Sequence, residues 1–267
     1  MDFIRAFFKE NIQERKYWYK TLIFGAIVFV ATAVYLQVRE RSINIYSFNR
    51  LFALNAVVLI GTSYMMSGLG YFFNIIDNKI IFRKYLGTLG WAFALVHVTM
   101  SLAFYFVIPE APKPDFEFAY KWDISGVLIS NILAFFSGVF AILTFTVMAA
   151  ISSKFAAHAI GGGLWRMMLR MGYPAFVLLT VHFGLKNISS WQAWFTAVVE
   201  GRFANSSLIL PPLSLLAVIF IVFVVVLRIA LQWSLIKKRN RLSASMQALA
   251  QSGAPRQSEP PRPAANA

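Results

Sequence analysis

Six apolar stretches recur along the chain, at about 21–38, 51–73, 85–108, 126–151, 165–185 and 210–233. Each is at least 18 residues long and carries few charges. A helix of that length, rising 1.5 Å per residue, crosses a hydrocarbon layer of roughly 30 Å. The pattern predicts an all-α integral membrane protein, a bundle of six transmembrane helices. The fifth stretch is the least regular, with Arg166 and Arg170 near its start and Pro174 expected to bend it. The connecting loops are too short for a soluble domain.

Outside the spans the pattern changes. Residues 1–20 alternate aromatics with charges and predict an interfacial cytoplasmic helix running into the first span. The six-helix domain then occupies 21–236. The segment 188–199 places Trp191, Trp194 and Phe195 on one helical face, which predicts a surface helix at headgroup level. Residues 243–267, rich in Ala, Ser, Pro and Gln, are expected to form a disordered cytoplasmic tail.

Composition agrees with the pattern. Hydrophobic residues make up 58% of the chain and charged ones 13%, with a mean hydropathy of +0.63, which excludes an ordinary soluble core. The formal net charge of +14 raises nucleic acid as a partner, but the distribution of charge opposes it. Lys and Arg concentrate in residues 1–20, 76–85, 151–170 and after 236, whereas Pro109–Asp123 carries four acids. This asymmetry predicts that both termini and every second loop are cytoplasmic, in a multi-pass membrane protein. Membrane lipid, not nucleic acid, is the surrounding partner.

The chain has no cysteine, which excludes disulfides, thiolate catalysis and iron–sulfur clusters. No signal-peptide pattern precedes the first span, which is expected to direct insertion itself. No glycine-rich fingerprint follows a strand, so no nucleotide domain is expected; Gly161-Gly162-Gly163 reads as a linker.

Two histidines carry the candidate chemistry. His97 lies thirteen residues beyond Lys84, and His182 twelve beyond Arg170. Both imidazoles are therefore expected roughly 18–20 Å from a cytoplasmic anchor, at one depth in the bilayer. Two inward imidazoles at one level suit the axial positions of a single haem iron. With both positions filled by nitrogen, such an iron carries electrons and binds no substrate. The plainer alternative is a pair of interhelical hydrogen bonds. Gly90, two turns before His97 on the same face, leaves room for a flat macrocycle or serves close helix packing. Arg228, inside the sixth span, either snorkels to the cytoplasmic face or pairs with a haem propionate or quinone headgroup. His158, in a cytoplasmic loop, is expected to be solvated.

Two passages, RKYLGTLGWAFALVHVTMSLAFY and WRMMLRMGYPAFVLLTVHFGLK, resemble the ferric reductase-like transmembrane family. Within it they are similar to the haem-binding membrane subunits of periplasmic methionine sulfoxide reductase systems. The likeness covers roughly residues 50–186. It departs at Leu169, where the family usually has a histidine thirteen residues before His182. The resemblance therefore implies one haem b, held by His97 and His182 in the outer half, unless Met168 or His158 replaces the missing inner ligand. FMN or a quinone are further candidate cofactors.

The expected function is electron transfer by a b-type cytochrome that works with a separate catalytic partner. Donors would be quinol or a cytoplasmic flavin reductase, since the chain has no nucleotide domain. The implied acceptor is a soluble periplasmic reductase that repairs oxidised methionine. A ferric or metal reductase is an alternative, as is a cofactor-free transporter or assembly factor. A transport path needs polar residues through several spans, and here they are few: His97, His182, Asn55, Asn131 and Arg228 beside scattered Ser and Thr.

Overall fold

The structure, a computed structural model, describes residues 2–41, 44–73, 81–106, 129–152, 156, 159–201 and 210–251. The helices are α1 (Asp2–Glu40), α2 (Ile45–Phe72), α3 (Phe82–Phe106), α4 (Ile129–Ile151), α5 (Gly162–Arg170), α6 (Gly172–Val199) and α7 (Leu213–Gln251). No strand occurs among the described residues. Six segments are long and apolar enough to cross a membrane, with α5 and α6 counted as one. The acidic loop Pro109–Asp123, His158 and residues 252–267 lie outside the described residues.

Met1–Leu227 form one compact unit and Arg228–Ala267 a second. In the first, α2 is the central helix. Its Leu54, Val57, Ile60 and Tyr64 are buried in one cluster with Phe145 and Met148 of α4, Phe176 and Phe183 of α6, and Ile221 and Val224 of α7. The outward faces are apolar as well: Ile27, Val30 and Val34 on α1 and Phe136, Phe140 and Leu143 on α4 are exposed. A monomer in water rarely shows such surfaces, whereas lipid tails cover them without loss. In the second unit α7 turns polar, and Lys237, Lys238, Arg239 and Arg241 are exposed.

Helix starts and stops follow local chemistry. α1 ends where Arg41 takes a left-handed φ of 57° and its N–H bonds to the Gln37 carbonyl at 2.9 Å. Asn44 caps α2, its side chain accepting from the Ser47 N–H at 2.9 Å. That cap sets where α2 begins, and so the register of Asn49 one turn later. Deeper in the bundle Asn55 donates to Thr32 Oγ1 at 2.8 Å, a polar tie between α1 and α2.

The N-terminal segment runs into the first span as one helix from Asp2. Other elements differ from the sequence reading. Residues 188–199 do not form a separate helix but extend α6, because no glycine or proline interrupts the run after Gly184. The fifth span is interrupted at Met171, three residues before Pro174, where α5 closes and α6 opens. Pro174 then stands in the first turn of α6, where a missing N–H leaves no bond unmade. Tyr64 supports the break by donating its hydroxyl to the Leu169 carbonyl at 2.9 Å. At the other end of the chain, α7 stays helical to Gln251, well into the stretch from Ser243 that reads as disordered by composition.

Candidate functional site

His97 sits on α3 and His182 on α6, each partly buried. His97 Nδ1 lies 2.8 Å from Asn49 Oδ1 and 3.1 Å from the Asn49 carbonyl oxygen on α2. His182 Nδ1 lies 2.7 Å from the Ala134 carbonyl oxygen on α4. A backbone carbonyl can only accept, so Nδ1 must carry the proton in both rings. A neutral imidazole protonated at Nδ1 presents a bare lone pair at Nε2. Hydrogen bonding from one ring nitrogen to a carbonyl is the usual way a protein orients a metal-binding histidine. Both rings therefore stand in the ligand-competent tautomer.

The supports are themselves held. Asn49 is buried and donates through Nδ2 to Ser101 Oγ at 2.9 Å, which keeps its amide oxygen toward His97. On α4, a Cβ at Gly138 would stand 2.8 Å from His182 Nδ1 and 3.0 Å from its Cε1. Glycine there lets the imidazole lie against the α4 backbone.

Lys186 lies one turn beyond His182 along α6. Among the described residues no group of three or more His, Cys, Asp or Glu is placed to hold a metal.

Gly90 does not open space for a cofactor. A Cβ there would lie 2.7 Å from Ile60 Cγ1, 2.9 Å from the Ile60 backbone nitrogen and 3.0 Å from Leu59 Cβ. Gly90 lets α3 close on α2, so its reading as a cofactor-binding residue gives way to close packing. Arg228 is partly exposed on α7 and belongs to the second unit, whereas the histidines and their supports all belong to the first. Leu169 stands in the last turn of α5 and lines a cavity of about 410 Å³. That cavity lies toward the end where α3 begins, and neither histidine lines it. The imidazole pair and the cavity are thus two separate features.

Sequence reasoning missed Asn49, Ser101, Ala134 and Gly138. Asn49 sits in SFNRLFAL, where a polar residue near a span's end reads as an interfacial one. Its partnership with His97, 48 residues away, depends on the register of α2 against α3. The Ala134 carbonyl leaves no trace in a side-chain pattern. Compared with family models and with curated proteins, the chain matches none.

Proposed function

We propose that the protein is a b-type cytochrome of a bacterial inner membrane, with both termini cytoplasmic. In this reading it passes electrons from quinol or a flavin reductase to an extracytoplasmic acceptor. The acceptor class suggested by the sequence resemblance is a periplasmic methionine sulfoxide reductase. The observation that carries the reading is the matched tautomer of the pair: His97 and His182 each donate Nδ1–H to a carbonyl oxygen and leave Nε2 free.

The residues fit a haem b. His97 and His182 would hold the haem iron through Nε2, on helices α3 and α6, which pack mainly against α2 and α4 respectively. A bound haem would supply one-electron carriage at a potential set by ligands, burial and nearby charge. Asn49 and Ser101 hold the His97 ring in place, and Gly138 gives His182 its seat.

The test is a dithionite-reduced minus air-oxidised spectrum of purified protein, which should show a low-spin b-type signal. Absence of pigment after expression with ample haem would end the reading and favour a transporter. Haem per chain should come out near one, since Leu169 and its neighbours supply no imidazole to the other half. A ratio near two would contradict that.

Asn49→Leu should weaken haem retention by roughly ten-fold, the low end of the range for removing a ligand's hydrogen-bond partner. The Asn49 backbone carbonyl remains to accept from His97, so complete loss is not expected. Haem titration of the apoprotein measures this. Affinity equal to that of the unaltered protein would show that the Asn49 side chain does not orient the ligand.

A further inference from the structure

Neither histidine lines the cavity beneath α5. It measures about 410 Å³ and lies among α1, α2, α3, α4 and α5. Its inner wall is apolar, with Ile60, Phe145, Ala149 and Leu169, while Arg83 and Lys84 stand at its rim. We infer that this cavity is a binding site for one anionic phospholipid, with the headgroup phosphate on Arg83 and Lys84 and the acyl chains along the apolar wall.

The hydrogen-bonding state of the wall selects the ligand class. Tyr64 donates to the Leu169 carbonyl, Trp91 to Thr146 Oγ1, Ser63 to the Arg83 carbonyl and Trp165 to the Ile151 carbonyl. These polar groups are engaged within the protein and ask nothing of a ligand. The two cations are different. Arg83 lies over the Tyr64 ring at 5.4 Å and Lys84 over the Tyr85 ring at 5.7 Å. Aromatic faces hold a cation in place without neutralising it. Among the described residues neither cation forms an ion pair, and Glu14, the one acid in the wall, bridges to neither.

An apolar chamber with unneutralised cations at its rim matches an anionic amphiphile. A zwitterionic lipid gains less, because its own cation opposes Arg83 and Lys84. Basic pockets between membrane helices at the cytoplasmic face are recurrent anionic-lipid sites. Charge bias along the chain marks this end as cytoplasmic, and Ile81 and Lys84 at the rim are exposed. Lipid retention is read without haem, so the lipid site stands or falls independently of the cytochrome.

The experiment is native mass spectrometry of the full chain in neutral detergent, titrated with phosphatidylglycerol or with phosphatidylcholine of the same chains. One phosphatidylglycerol should bind per chain, about ten-fold or more tighter than phosphatidylcholine. R83Q/K84Q should lose that preference, whereas K237Q/K238Q, on the exposed basic turn of α7, should keep it. If R83Q/K84Q does not accumulate, Ala149→Phe, which fills the apolar wall, decides instead by losing the bound lipid. Equal affinity for the two lipids, or unchanged preference in R83Q/K84Q or Ala149→Phe, overturns the inference. So does displacement of lipid by equimolar inorganic phosphate or FMN, which would assign the rim to a free phosphate or a flavin.

Discussion

In the proposed cytochrome, His97→Ala and His182→Ala will each abolish the low-spin b-type signal while the chain still folds and inserts. The two effects separate because the imidazoles contribute little to packing. Removing either ring leaves one carbonyl without its extra donor: that of Asn49, or that of Ala134 in α4. Each lies in a helix and keeps its own backbone partner, so the stability loss should stay within about 1–3 kcal/mol. In the proposed cytochrome a bound haem would lose one of its two protein ligands, and the described residues include no third histidine to replace it. External imidazole should restore part of the signal by filling the space the ring vacated. His158→Ala is the control and should leave the spectrum unchanged. Full retention of the low-spin signal in both single variants would remove the pair from the ligand set, and with it the redox reading.

Gly90→Leu will destabilise the fold more than the loss of either imidazole, by about 3 kcal/mol or more. The new side chain would start 2.9 Å from a backbone nitrogen at Ile60, which cannot rotate away. Either α2 and α3 separate or the residue fails to fit. Gly87→Ala provides the contrast: its nearest neighbour is Ser63 Oγ at 3.3 Å, a side-chain atom that can shift by a few tenths of an ångström. That change should cost under about 1 kcal/mol. Thermal unfolding in detergent will rank the two. Because α2 also carries Asn49, the haem signal of Gly90→Leu should broaden or fall only together with the unfolding midpoint. A Gly90→Leu protein with wild-type stability and an altered haem spectrum would instead make Gly90 the floor of a cofactor pocket.

Hydropathy alone determined that six helices form and roughly where, because a stretch too apolar for water and long enough for a bilayer has few other solutions. The sequence also singled out His97 and His182, since an ionisable group in such a stretch needs a specific reason to be there. Pro174 announced a disturbance of the fifth span, but not that a Tyr64 hydroxyl 105 residues away would take the Leu169 carbonyl beside it. Nor could the sequence choose between the two meanings of Gly90: what lies against a missing Cβ depends on the register of two helices. The same register brought Asn49 to His97 and the Ala134 carbonyl to His182. Tautomer, packing and the basic cavity were thus decided by contacts between helices, and a one-dimensional pattern records only the face that each helix presents.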